Sequence, residues 1–373
     1  VTDRETGLSF RCLRFLDVGD RGDTYNFDPI PDERPRCEPE KVSLKPLSSG
    51  PVAAVMEVRH RFRLPESLNV TRAARSKRTE PLDLVSQVRL FRGSKRVEIH
   101  TEFVNPARDH RLQAAVRAPF EAERVMVESA FGLVERPIED AGLPRDACAT
   151  DLASTLLGRE GTYTTSPHKT LAYISRDDGG VAVMNRGLAE VEARRLDGAT
   201  RLALTLVRAV GWLSRPDLSM RPGEAGPTLP TPGAQCLRPF AWDYAVEPFA
   251  AEEEADLLAS AHAFAYPPAL SLVHERVSGP DRELWLVRVS NPRVLVCSLR
   301  PLAGGILEAR LVNGSLAEEE AVVEFAPQWQ RPRPTDFLGQ PVEGRAEVQG
   351  NRIMVRLRPQ EIFTVRAEAA AGQ

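Results

Sequence analysis

Four aspartates crowd into FLDVGDRGDTYNFDP (Phe15–Pro29): Asp17, Asp20, Asp23 and Asp28, interleaved with Gly19 and Gly22 and joined by Tyr25, Asn26 and Phe27. Carboxylates this dense can hold calcium, act as an acid–base pair or fold a loop, and spacing separates the three. An EF-hand takes ligands at alternating positions, with a glycine sixth and a glutamate twelfth. Asp17, Asp20 and Asp23 stand three apart with no matching glutamate, so calcium is not the expected ligand. A self-contained hydrolase using Asp20 and Asp23 would need them about 5 Å apart, a separation that nothing in the sequence sets. Arg21–Asp23 spells RGD, a tripeptide common by chance. The expected use of Asp20 and Asp23 is therefore to organise the loop, since aspartates bond nearby backbone amides and Gly19 and Gly22 allow positive φ.

Other chemistry finds little footing. The six histidines (His60, His100, His110, His168, His262, His274) form no HExxH or HxH pattern and have no cysteine at zinc-ligand spacing. There is no GxSxG elbow and no GxxxxGK[ST] loop, so Ser214 in GWLSRP reads as a turn serine. The cysteines Cys12, Cys37, Cys148, Cys236 and Cys297 are scattered and odd in number, which reads as free thiols in a reducing, cytoplasmic setting. In that setting the sequons at Asn69 and Asn313 carry no glycan.

The elements that must position these residues are mostly strands. Met56, Val58, Phe62 and Leu64 alternate with Glu57, Arg59, Arg61 and Arg63, the period of a sheet with one buried face, and His60 falls on the apolar side as a core histidine. VSQVRLF and RVEIHTEFV, joined through Gly93 and Ser94, read as a hairpin. Further strands are expected at LAYIS, GVAVMN, AEVEAR, RLALTLVRAV, ELWLVRVS, ILEARLVN, AVVEFA and RIMVRLRP, the pattern of a β-sandwich protein. One helix is expected over Glu252–Phe264, with an acidic first turn and an apolar stripe of Leu257, Leu258, Ala261 and Phe264. RPGEAGPTLPTPG (Arg221–Gly233) is a long ordered loop or a linker.

At 373 residues, with 42% hydrophobic and 27% charged residues, the chain has the composition of a globular protein of two or so domains. A net charge of -3 gives no argument for nucleic acid or an anionic membrane as partner. No run of about 18 apolar residues marks a transmembrane helix. Val1 opens inside what reads as a domain, so an upstream region is expected, and any leader would lie there. The boundary is placed after the helix: 1–265 as a large β domain and 266–373 as a smaller β module.

Four blocks, taken in order, go further: FLDVGDRGDTYNFDP, FGLVERP (Phe131–Pro137), GVAVMNRGLAEVEA (Gly180–Ala193), and RAVGWLSRPDLSMRPGEAGPTLPTPGAQC (Arg208–Cys236) with PFAWDYAV beyond it. Together they resemble the carboxy-terminal half of glycoside hydrolase family 38, the α-mannosidases and bacterial mannosylglycerate hydrolases. The resemblance covers about the first 250 residues, and the end, VRLRPQEIFTV, looks like the family's final β module. It implies a large β-sandwich (a supersandwich, galactose-mutarotase-like) followed by a smaller β-sandwich. It also implies an upstream catalytic barrel that holds zinc and the nucleophilic aspartate and hydrolyses mannose-containing substrates with retention through two carboxylates. A barrel of that kind takes on the order of 250 residues, and its motifs have no counterpart here. The chain alone is thus expected to be inactive, with catalytic residues and metal ligands supplied elsewhere in the same polypeptide and a former interface prone to self-association.

The resemblance also implies substrate-binding residues. Tyr25 matches a tyrosine that leans toward the bound sugar, and Arg186 matches an arginine beside the same pocket. Asp23, Asn26 and Asn185 are secondary candidates. A structural role stays open for Tyr25, whose ring would cap the sandwich, and for Arg186, which would hold a turn through Asp23 or Glu190. Trp212 and Trp242 read first as core residues. The alternative for the whole chain is a stand-alone carbohydrate-binding or structural β-sandwich module.

Overall fold

The computed structural model describes residues 1–138, 164–219, 221, 223–269 and 285–370. Cys148, His274, Met220 and Pro222, with the start of ELWLVRVS, lie outside the described residues. The chain divides into two compact units, one of Val1–Val127 with Glu135–Ala251, the other of Glu128–Val134 with Glu252–Gln373.

The strands up to Ala250 are β1 (Arg11–Gly19), β2 (Lys41–Ser49), β3 (Ala53–Pro65), β4 (Thr79–Phe91), β5 (Val97–Val104), β6 (His110–Ala118), β7 (Arg124–Ser129), β8 (Gly132–Pro137), β9 (Thr165–Pro167), β10 (Leu171–Arg176), β11 (Gly179–Asn185), β12 (Glu190–Leu196), β13 (Ala199–Ala209) and β14 (Pro239–Ala250), the end of β7 and the start of β8 belonging to the Glu128–Val134 piece of the second unit. They form a five-stranded sheet, β1-β6-β13-β12-β9, and a nine-stranded sheet, β2-β3-β4-β5-β14-β11-β10-β7-β8. Phe15 from the smaller sheet meets His60 and Phe62 from the larger edge-on, at ring centroid distances of 5.3 and 6.4 Å, so the inner faces share one core. His60 is buried in that core as its alternation with arginines predicts. Burial holds its imidazole below the ordinary pKa.

Alternation in β3 is only half realised. Val58, Phe62 and Leu64 are buried, but Met56, expected inside, is 41% exposed. Its cross-strand neighbour is Pro46 of β2, and every residue of β2 is exposed. This edge of the larger sheet thus lacks the cover that period-two patterning presumes. The hairpin of β4 and β5 forms as read, with Gly93 at φ +77 in its turn. The described residues of Arg221–Gly233 are a loop that runs into a 3-10 turn at Pro232–Gln235, inside the first unit and not a linker.

The longer segment of the second unit begins within a 3-10 turn, Ala251–Asp256, and continues into α1 (Leu257–Ala265). The acidic residues expected in the α-helix's first turn therefore lie in the 3-10 segment, while Leu257, Leu258, Ala261 and Phe264 are buried as the stripe requires. Its strands are β15 (Val287–Val289), β16 (Val294–Leu302), β17 (Ile306–Asn313), β18 (Glu319–Phe325), β19 (Trp329–Thr335), β20 (Ala346–Gln349), β21 (Arg352–Leu357) and β22 (Ile362–Ala369). Two four-stranded sheets, β15-β18-β21-β20 and β16-β17-β22-β19, close on a core that includes Leu307, Leu311, Val323, Phe325, Ile353, Val355 and Val365. All named strand pairs are antiparallel, and the fold is mostly β, in sandwich-like modules. No helix among the described residues is long and apolar enough to cross a membrane.

Candidate functional site

The aspartate-rich stretch straddles a strand end. Phe15–Gly19 completes β1, and the chain then loops back so that Asp20 bridges to Pro29. The aspartates fold this loop from within. Asp20 is fully buried and accepts from the Gly22 amide (2.8 Å), the Asp28 amide (3.1 Å) and Arg208 Nε of β13 (2.7 Å). Burial pushes its carboxyl above the ordinary value despite Arg208. Asp23, also without exposure, accepts from the amides of Tyr25 and Asn26 (2.9 Å each) and Arg215 (2.8 Å). Its burial opposes ionisation, but the Arg221 guanidinium, 2.5 Å away, and these amides hold its carboxyl below the ordinary range. Asp28 takes Arg21 and the Ser219 amide and hydroxyl. Asp17 pairs with His110 (2.6 Å) and Arg75.

Two arginines from distant sequence complete the loop. Arg208 Nη2 donates to the carbonyl oxygens of Asp23 (2.6 Å) and Asn26. Arg221, 5% exposed, donates to Asp23, the Asn26 side chain, the Ser214 hydroxyl (3.3 Å) and the Arg215 carbonyl (3.0 Å). Its guanidinium also stands 5.8 Å from the Tyr25 ring centroid. Neither arginine has a local sequence signal as a loop-former, because the carboxylates they meet lie more than 180 residues away. Thr24 docks on the other wall, its amide to Trp212 O (3.0 Å) and its hydroxyl to Leu213 O (2.7 Å).

The product of this internal framework is an exposed phenol. Tyr25 is 55% exposed although the residues on both sides are tied down. The Asp23, Tyr25 and Asn26 candidates are thus brought together. Asn185 and Arg186 lie elsewhere, at the end of β11 in the larger sheet. Asn185 is fully buried, with its Oδ1 accepting from the Leu188 amide (2.7 Å) and its Nδ2 2.8 Å from His168 Nε2. It holds the turn ahead of β12. Arg186 is 3.6 Å from Asp243, which also receives His100 Nδ1 at 3.0 Å. Trp212 lies beneath Arg215 at 5.0 Å, and Trp242 stacks on Phe240 at 5.9 Å.

Metal binding is a poor fit to these residues. Among the described residues no three His, Cys, Asp or Glu side chains gather as ligands. Asp17, Asp20, Asp23 and Asp28 are each committed to an arginine and to a backbone amide, a hydroxyl or a histidine.

Comparison with known proteins decides the family. The family model for the glycosyl hydrolases family 38 C-terminal domain matches residues 2–219. The chain belongs to glycosyl hydrolase family 38. The match ends within the block that carries Arg208, Arg215 and Ser219, so it takes in both β1 and the aspartate loop. A protein of Halalkalibacterium halodurans named "Putative mannosylglycerate hydrolase" is 23% identical over 99% of this chain and 39% of its own length. Two solved structures from Enterococcus faecalis share the fold. An alpha-mannosidase superposes with a TM-score of 0.78 at 22% identity, covering 98% of this chain and 40% of that one. A family 38 protein does so at 0.79 and 20%, covering 98% and 41%. The chain therefore spans about two fifths of the length of these relatives.

Proposed function

We propose that this chain is the carboxy-terminal β region of a retaining, zinc-dependent α-mannosidase-type glycoside hydrolase acting on α-mannosides or mannosylglycerate, and that the aspartate loop forms one wall of its sugar pocket. The observation that carries this reading is the exposed Tyr25 on a loop whose backbone is fixed by two buried carboxylates and two arginines. A phenol both donates and accepts a hydrogen bond, and a rigid mount lets it meet a sugar hydroxyl without loss of its own freedom. Asp23 and Arg221 act through Tyr25 as positioning residues, and Asn26 as their anchor. Bond cleavage by two carboxylates, and the zinc, are assigned to an amino-terminal catalytic barrel of the same polypeptide. Arg186, which stands apart from the Tyr25 loop and is oriented by Asp243, is assigned a second substrate contact on the family resemblance alone.

In the full-length enzyme, Tyr25→Phe removes the hydroxyl and leaves the ring. The expected result is a fall in kcat/KM on a mannoside of about tenfold, near 1.4 kcal/mol of transition-state stabilisation. An unchanged kcat/KM would assign Tyr25 to loop packing and withdraw the pocket wall.

A further inference from the structure

The outer face of the β16-β17-β22-β19 sheet carries a row of side chains set directly across from one another on all four strands: Arg300, Glu308, Arg366 and Arg333. Glu308 is buried beneath its neighbours. It receives Arg300 (2.8 Å) and Arg366 (2.8 Å), with Arg310 at 3.5 Å. Arg366 and Arg333 then face each other across β22 and β19, a like-charge cross-strand pair of the kind that destabilises a sheet. Arg333 reaches Glu368 only at 3.5 Å. Five arginines thus share two carboxylates, Arg331 also standing 3.7 Å from Glu368, and Arg333 and Arg300 remain about half exposed.

Beside this row, a tight loop holds an apolar pair out to solvent. Asp336 Oδ1 accepts from the amides of Leu338 (2.9 Å) and Gln340 (2.8 Å), and Gly339 adopts φ +87. The Gly339 carbonyl accepts from Arg366 Nη1 (3.3 Å), which locks the loop to the row. A Cβ at Gly339 would lie inside that guanidinium, so the contact demands glycine. The loop leaves Phe337 59% exposed, with Arg310 5.0 Å from its ring centroid, and Leu338 84% exposed. An ordered phenyl ring beside an excess of guanidinium forks fits a ligand with an apolar ring face and a planar anionic group.

We infer that this face is a binding site for a carboxylated saccharide, the sugar ring packing on Phe337 and its carboxylate taken by the half-exposed Arg333. Membership of a glycoside hydrolase family favours a saccharide over an acidic peptide, which would use the charge but has no need of the ring. This site lies in the second unit and does not depend on the role given to Tyr25.

Titration calorimetry of the 373-residue chain with trigalacturonate, mannotriose and a tri-glutamate peptide tests it. The expected result is binding of trigalacturonate alone, weakened about fivefold or more by Arg333→Gln and by Phe337→Ala separately, and weakened by added salt. Arg352→Gln, on the other sheet of the unit, is the charge control and leaves binding unchanged. Both test residues are exposed, so near-UV circular dichroism of each variant is expected to match the parent. Equal binding of tri-glutamate, full binding by Phe337→Ala, or no heat with trigalacturonate at millimolar concentration overturns the proposal.

Discussion

At the level of single residues, the loop is governed by Arg221 more than by the aspartates. Asp23 satisfies three amides, but those amides close a turn only because a buried carboxylate has a cation to face, and Arg221 supplies it at 2.5 Å. The same guanidinium stands under the Tyr25 ring, so the charge that folds the loop also sets the height of the phenol. Gly226 closes the other side: a Cβ built there would stand 3.3 Å from Tyr25 Oη, and its nearest neighbours are all Tyr25 atoms. Gly226→Ala is therefore expected to press on the hydroxyl and little else. In the full-length enzyme it should lower kcat/KM roughly threefold to tenfold by displacing the phenol, with the unfolding midpoint unmoved. A loss of thermal stability matching the loss of activity would show that Gly226 serves the fold and not the position of Tyr25.

At the level of elements, the loop is one unit and should fail as one. Gly22 has an Asn26 carbonyl oxygen 2.0 Å from where its Cβ would stand, with Asp20 and Arg208 atoms at 2.7 Å. Gly22→Ala cannot fit without opening the chain reversal and pulling Asp20 from Arg208. Such a change belongs with strained backbone and broken buried ion pairs and should cost roughly 2–4 kcal/mol in urea unfolding; a cost below about 0.5 kcal/mol, the size of an ordinary surface substitution, would refute the interlocked loop. What the sequence revealed of these elements follows the reach of the forces. Alternation in Val58–Leu64 and the stripe of α1 are local, and both appear in the structure. β6 (HRLQAAVRA) is buried almost throughout and shows no alternation, so it carries no period to read. β1 hides its strand in FLDVG, whose buried aspartate looks like loop chemistry until His110 and Arg75 are seen to neutralise it. The aspartates and Tyr25 were legible as a loop and a candidate. Arg208 and Arg221 were not, because nothing near them in sequence states which distant carboxylate they will meet.

At the level of the whole molecule, the recurring device is a buried carboxylate enclosed by arginines, and it fixes how the protein responds to acid. Glu192 on β12 shows it most clearly. It is 3% exposed and receives Arg111 and Arg201 at 3.2 Å and the Thr164 hydroxyl at 2.9 Å. Burial alone would raise its pKa, but the arginines pull it from 4.5 to about 2. Against their burial, Asp17 is lowered by His110 and then Arg75, Asp23 by Arg221 and backbone amides, and Glu308 by Arg366 and Arg300, while Asp20 is raised and offsets part of the effect. A folded-state pKa below the unfolded value means that folding favours the ionised form. The contribution is complete above the unfolded pKa and disappears as pH falls through the folded one. For Glu192 that window runs from 4.5 down to about 2 and is worth roughly 3 kcal/mol at neutral pH. Glu192→Gln removes the proton linkage and strands Arg111 and Arg201 in a buried site, so it should cost about 3–5 kcal/mol at pH 7. More diagnostic is the slope. Between pH 6 and pH 3 the parent's unfolding free energy should fall by roughly 2 kcal/mol more than the variant's, as the parent alone loses an ionised Glu192. Parallel curves for the two proteins in urea titrations across that range would mean that Glu192 is not held ionised by its arginines, and that the acid response of the fold arises from other carboxylates.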